Sequence, residues 1–399
     1  MPVTRSRRLQ GVDALRGFAL LGIVLVNVQS FTWGPGNPLG YFDGVPDAAD
    51  KAVFALLACF VAGKFYAIFA FLFGFGFSQQ IRKMRRLAGG HRAAATRMYL
   101  RRLAFLLAVG IAHGVLLYFG DILATYAICA LALLPFGRTR LRALTRAIRV
   151  AWIVSAALVA FWTTVSFATA EPGDTAIPPD IVAAHAVYTD GDYAEQLARR
   201  ASDDFSQTLG GATLNWVQVI ALMLTGTLAG RLGWLRHPRR HPRVARAAMG
   251  LGLGIGLPCA AVGAYLHLQT MRAAPGTSFG LDQACLAGSV LLSFAYIASA
   301  ILWFQEPRRA APLASALVRW LGPAGRMPLT LYVTQSFAMG LLLSGWGLGL
   351  AARASRPQLA LLALAIYAAQ VLAARTVEAW GLGGPLEALW RRVTYRRAA

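Results

Sequence analysis

Runs of roughly 18 or more apolar residues recur along this 399-residue chain, and each is long enough to cross about 30 Å of hydrocarbon. Inside a bilayer no water satisfies backbone N–H and C=O groups, so runs of this length must close their hydrogen bonds internally as helices. Spans are expected near residues 14–33, 64–81, 101–119, 121–137, 148–169, 212–231, 247–270, 284–304, 327–350 and 358–377. The expected fold is therefore all-α: a polytopic membrane helical bundle of about ten transmembrane helices. The composition agrees, with 57% hydrophobic residues, 14% charged residues and a mean hydropathy of +0.53, outside the range of soluble globular domains.

A formal net charge of +22 raises the question of a nucleic-acid partner, and the placement of the cations answers it. With both termini cytoplasmic, only Lys51, Lys64, Arg199, Arg200, Arg272, Arg353 and Arg356 fall on the outer side; the rest of the 39 Lys and Arg lie inside. That bias is the positive-inside pattern. It makes the lipid bilayer the partner of the basic surface, with no nucleic acid needed. The first span follows TRSRRLQGVDALRG, which looks like a signal-peptide start. Gln29-Ser30-Phe31-Thr32-Trp33 offers no small-residue cleavage site, so the segment is expected to stay as a helix. Cys59, Cys129, Cys259 and Cys285 sit in apolar runs without metal-ligand spacing and read as small core residues; no metal is expected.

One membrane domain, 1–399, accommodates the whole chain, with three stretches that are not simple spans. Residues 51–62 are too short to cross and suit an interfacial or re-entrant helix. Residues 170–211 form an acidic outer loop, whose middle, DYAEQLARRASDDFSQTL, has helical character. Residues 380–399 form an amphipathic cytoplasmic tail, with Trp390 and Tyr395 as interfacial anchors.

Polar residues inside the spans mark the candidate site, because a polar group at membrane depth must find a partner or a water-lined cavity. Asp13, Arg16 and Asn27 share one face of the first span; an Asp–Arg pair at the helix start and an interhelical Asn bond are the structural alternatives. Lys64 opens the second span, where snorkelling accounts for it, and Gly74 and Gly76 nearby suggest close helix packing. His113 lies within IAHGVLLYFGDILATYA, with Asp121 at the break where the next span begins. Asp121 suits a helix N-cap, while His113 is the side chain best fitted to proton exchange near neutral pH. By helical rise the two stand about 10 Å apart along the membrane normal, so direct contact requires the third span to tilt or break near Leu117–Phe119; otherwise a water or a third residue bridges them. Around GPAGRMPLTLYVTQS, Pro328 starts a helix on which Tyr332, Gln335 and Met339 share a stripe, with Ser336 beside Gln335 and Arg326 before it; the Tyr/Gln/Ser group can bond between helices or line a polar chamber. No P-loop, dinucleotide fingerprint, HExxH or GxSxG occurs.

DALRGFALLGIVLVN (13–27), GKFYAIFAFLFGFGF (63–77), GDILATYA (120–127), GPAGRMPLTLYVTQS (322–336) and GPLEALWRR (384–392) occur in this order. In them the chain resembles the YeiB family (domain of unknown function 418) of bacterial inner-membrane proteins. More distantly, the Asp-x-x-Arg-Gly start and the Gly-Asp-Ile-Leu helix opening are similar to transmembrane acyltransferases related to heparan-α-glucosaminide N-acetyltransferase. In those enzymes the resemblance places the catalytic histidine in the outer region after the first span, and the corresponding loop here has none.

The expected activity is transfer of an acyl group from cytoplasmic acyl-CoA to a small-molecule or glycan acceptor at the outer face of the inner membrane. In that reading Arg16, Arg326 and Arg391 meet the phosphates of the co-substrate, while Asn27, Lys64, Tyr332 and Gln335 line its path. His113 serves as base or nucleophile and Asp121 orients it. Two other classes fit the same residues: a proton-coupled transporter using the His/Asp pair as a relay, and a non-enzymatic scaffold or sensor docking through the outer loop.

Overall fold

The computed structural model describes residues 7–33, 39, 46–169, 179–205, 212–273, 285, 287–304 and 312–395. Its helices are α1 (Arg7–Ser30), α2 (Ala48–Phe60), α3 (Phe65–Leu87), α4 (Arg92–Leu116), α5 (Leu123–Cys129), α6 (Leu141–Thr169), α7 (Pro179–Asp190) and α8 (Tyr193–Phe205). They continue with α9 (Ala212–Leu232), α10 (Pro242–Leu251), α11 (Leu257–Ala273), α12 (Leu292–Phe304), α13 (Pro312–Arg326), α14 (Pro328–Leu343), α15 (Arg356–Ala379) and α16 (Pro385–Tyr395). A 3₁₀ turn series, Ala130–Gly137, prolongs α5, and a π-helical stretch, Gly252–Gly256, joins α10 to α11. Among the described residues there is no strand.

Seven of the ten expected spans coincide with helices long and apolar enough to cross a membrane. The other three, at Leu123–Gly137, Trp216–Leu232 and Pro328–Leu343, are shorter apolar helices. The protein is an all-α polytopic helical bundle.

Close backbone approach sets the centre of the bundle. A Cβ on Gly74 of α3 would stand 1.8 Å from the Met223 carbonyl oxygen, and one on Gly226 of α9 would stand 1.9 Å from that of Phe71. Only glycine lets these two helices cross so closely, the membrane counterpart of small-residue packing. Gly76, the partner of Gly74 in the sequence, meets only the end of the Gln80 side chain, so the close packing expected of both belongs to Gly74 alone. The same device seats α1 on α13, where Gly325 abuts the Asp13 carbonyl and Gly17 that of Leu321. In contrast, α6 turns Ile153 and Phe161 outward, 68% and 58% exposed. Lipid tails solvate such side chains at no cost, so an apolar face without protein partners is consistent with a span.

Four local expectations change or gain detail. Helix α4 ends at Leu116, and the Leu117 and Tyr118 amides both donate to the His113 carbonyl. The span therefore breaks before residue 119. Lys64 does not snorkel: its side chain is fully buried and its ammonium donates to the Ala58 carbonyl at 2.7 Å. That bond closes the turn between α2 and α3, where Gly63 has φ +79°. Trp390 is docked on α4, a contact that the anchor reading did not include. Its indole N–H donates to the Arg102 carbonyl at 2.9 Å, and the Arg102 guanidinium lies 3.4 Å from its ring centroid. The segment expected as an outer loop carries two helices, α7 as well as α8; residues 170–178 and 206–211 lie outside the described residues, as do the tail residues 396–399.

Candidate functional site

The break after α4 determines the site. Because the helix stops at Leu116 and the chain returns through Gly120 into α5, Asp121 comes back level with His113. The imidazole Nδ1 meets Asp121 Oδ1 at 2.9 Å. The second carboxylate oxygen accepts from the Ala124 amide at 2.7 Å, so Asp121 caps α5 and holds His113 at once. Room for this comes from Gly110, one turn before His113. A Cβ there would lie 2.4 Å from the Ala124 nitrogen and 2.7 Å from Asp121 Oδ2.

Helix α14 completes the arrangement. Ser336 Oγ lies 2.8 Å from His113 Nε2, and the Tyr332 ring covers the imidazole with its centroid at 4.7 Å. With the tautomer that donates from Nδ1 to the carboxylate, Nε2 accepts the Ser336 hydroxyl proton. Asp121, His113 and Ser336 thus form one hydrogen-bonded chain, and all three residues are buried. Beside Ser336, Gln335 is only 1% exposed and neither its Nε2 nor its Oε1 has a hydrogen-bond partner. A buried amide with four unused hydrogen-bonding positions is costly.

The start of α14 is fixed from the other end of the chain. Glu387 of α16 accepts from the Leu329 amide at 2.7 Å, the Thr330 amide at 3.1 Å and the Thr330 hydroxyl at 2.6 Å. A carboxylate at these free N–H groups satisfies the donors that a helix start leaves open and opposes the helix dipole. The GPLEALWRR motif therefore positions the helix bearing Tyr332, Gln335 and Ser336.

Helices α7 and α8 close over the site by using the open end of α4. Arg200 Nε donates to the Val115 carbonyl at 3.1 Å and Tyr193 Oη to the Leu116 carbonyl at 3.0 Å, occupying acceptors that the helix end cannot satisfy itself. Asp204 of α8 lies directly on Gly114, where an added Cβ would be 2.3 Å from its carboxyl carbon. Burial, reinforced by the charge of Asp121, pushes the Asp204 carboxyl up to about 7. Asp204 and Arg200 are absent from the sequence-derived set. The small residues on either side of His113, Gly110 and Gly114, are the signal that other groups approach it closely.

The remaining candidates lie elsewhere. Asp13 pairs with Arg16 at 2.9 Å, and Arg326 lies 3.9 Å from Asp13 while forming an ion pair with Glu378. Two of the three cations expected to meet a co-substrate's phosphates are thereby already neutralised by carboxylates. Arg391 is exposed on α16. Asn27 is half-buried on α1 and makes no hydrogen bond with His113, Asp121 or Ser336, and Lys64 is engaged with Ala58.

The chain is similar in sequence to known proteins along almost its whole length. Residues 229–397 match the family described as "Protein of unknown function (DUF418)". "Uncharacterized protein YxaH" of Bacillus subtilis is 26% identical over 99% of this chain and 96% of its own length. "Uncharacterized protein YeiB" of Escherichia coli K12 is 27% identical over 97% of this chain and 96% of its own. A 39.9 kDa protein in the amylase 3′ region of Bacillus acidopullulyticus is 28% identical over 99% and 96%. The matches run essentially end to end, and together with the family match over residues 229–397 they support assignment of the chain to the YeiB family, DUF418.

Proposed function

We propose that the protein is an acyltransferase of the bacterial inner membrane that passes an acyl group through Ser336. The observation that carries this reading is the chain Asp121–His113–Ser336, in which each imidazole nitrogen has its own partner. This is the connectivity of a nucleophile, a base and an orienting carboxylate, a pattern recognised by geometry and role on unrelated folds.

Ser336 Oγ attacks the thioester carbonyl of an acyl-CoA while its proton passes to His113 Nε2. The imidazolium is stabilised by Asp121 through Nδ1–H. The thiolate leaves, takes the proton from Nε2, and the acyl group stays on Ser336 as an ester. An acceptor hydroxyl or amine then attacks that ester, giving its proton to Nε2, and the proton returns to Ser336 as the product leaves. Ser336 lies inside α14, where its own backbone amide is committed to the helix. The developing oxyanion is therefore met by a side-chain donor, and the unpartnered Gln335 Nε2 supplies it. The acceptor, a small molecule or glycan, enters from the outer face when α7 and α8 swing aside, which removes Asp204 from Gly114.

A fluorophosphonate probe tests the nucleophile whatever acyl group the protein carries. The purified protein is expected to form a covalent adduct on Ser336, and His113→Ala and Ser336→Ala are expected to form none. Incubation with acetyl-CoA and longer acyl-CoAs should release free thiol and add the acyl mass to the same residue. A monodisperse preparation that reacts with neither reagent overturns the reading.

A further inference from the structure

An open cavity lies well away from the relay. It opens between the C-terminal halves of α3 and α9 and the end of the 3₁₀ segment, with a volume of about 570 Å³. Arg82, Arg85, Arg86, Arg138 and Arg231 line it, and no carboxylate does. We propose that this cavity binds a phosphorylated group carrying more than one negative charge, either a soluble pyrophosphate-type ligand or the headgroup of an anionic phospholipid.

The argument is one of missing counter-ions. Elsewhere on the basic side, Arg16 and Arg326 pair with carboxylates. In the cavity Arg85 Nε and Arg231 Nη1 are buried without a hydrogen-bond partner, and among the described residues no carboxylate pairs with any of the five arginines. Converging like charges repel one another, and an anion entering among them removes that repulsion as well as filling the open donors. The hydroxyls at the cavity wall are already spent as donors. Ser78 donates to the Phe75 carbonyl, and Thr227 is bonded to those of Gly74 and Met223. What faces an incoming ligand is therefore a set of planar guanidinium forks, whose geometry matches phosphate oxygens in bidentate fashion. The volume lies within the range of small-molecule sites and exceeds what a single phosphate fills.

The site is independent of the acyl-transfer reading. It lies at the far end of the run Leu123–Gly137 from Asp121, roughly 25 Å away by helical rise.

The test uses the full chain in phosphatidylcholine nanodiscs, titrated with pyrophosphate and separately with coenzyme A by calorimetry. In parallel, native mass spectrometry of protein in mild detergent reads out retained phosphatidylglycerol or cardiolipin. Arg85→Gln with Arg138→Gln is compared with Arg243→Gln plus Arg246→Gln, which removes equal charge from exposed positions on α10. Arg85→Lys with Arg138→Lys keeps the charge and loses the forks, so it serves if the Gln pair does not fold. A soluble source is supported if pyrophosphate or coenzyme A binding falls about 100-fold in the Gln pair, and by a smaller factor in the Lys pair, with the α10 control unchanged. A lipid source is supported if retained anionic lipid is lost from the pocket variants alone. If neither probe binds and no anionic lipid is retained, or if pocket and control variants behave alike, the proposal is overturned.

Discussion

The two ends of the Leu123–Gly137 run treat charge in opposite ways. At its start, His113, Asp121 and Ser336 are buried and matched atom to atom. At its finish, five arginines face an open cavity with guanidinium nitrogens left over. Buried polar groups must be satisfied within the protein because the alternative is an unpaired charge in low dielectric. Guanidinium nitrogens left unpaired beside an open cavity can be met by a ligand that enters it. The contrast separates a site built to move a proton internally from a site built to hold something that comes and goes.

Accessibility gives the largest effect, being all or none. On the membrane arrangement read from the charge bias, Ala194→Cys in α8 should react with an impermeant thiol reagent added outside intact cells, and His91→Cys should not. Both positions are exposed; Gly90 is avoided because its φ of +89° disfavours a side chain. Labelling of both from one side would put the two ends on the same face and break the comparison.

Next in size is the relay. His113→Ala and Ser336→Ala are each expected to lower acyl transfer at least about 10³-fold with folded yield largely kept, and Asp121→Asn less, about 10²-fold. The amide keeps the cap on α5 and loses the charge that steadies the imidazolium. Full turnover by folded Ser336→Ala enzyme would remove the serine from the mechanism.

Glu387 offers a stability measurement that sharpens the same end. Glu387→Ala leaves the start of α14 without its three bonds and should cost about 3 kcal/mol, read as a fall in Tm, while Glu387→Gln costs less. Unchanged Tm with unchanged reactivity at Ser336 would show that α14 needs no brace from α16.

The smallest effect concerns Asp204. Its carboxyl is raised to about 7 in the folded protein against about 3.9 when unfolded, so folding favours the protonated form. Stability is full below the unfolded value and declines as pH rises towards 7. Asp204→Asn should therefore raise Tm by about 2 °C at pH 8 and leave it nearly unchanged at about pH 3. An equal gain at both pH values would mean that the carboxylate charge is not what strains the α8–α4 contact.

Span placement is legible in the residues alone because length and apolarity are local properties, and lipid leaves helices as the only outlet for them. The pairing of Gly74 with α9 is half legible: small residues announce close approach, but whether Gly74 or Gly76 makes it depends on the rotation of α3. His113 and Asp121 stand out as polar groups at depth. Their contact hangs on a helix break that the sequence places near Leu117–Phe119 only as the condition for contact, since that stretch is as apolar as the helix before it.

Sequence by itself determined that this is an all-α membrane bundle and which few polar residues must find partners inside it. Tertiary structure alone decided who those partners are. Ser336 reaches His113 across 223 positions of chain, Asp204 arrives from α8, and Arg326 is claimed by Glu378. A residue type states what bond is needed; only packing, through the glycines that let backbones touch and the helix end that turns Asp121 back, selects the atom that supplies it.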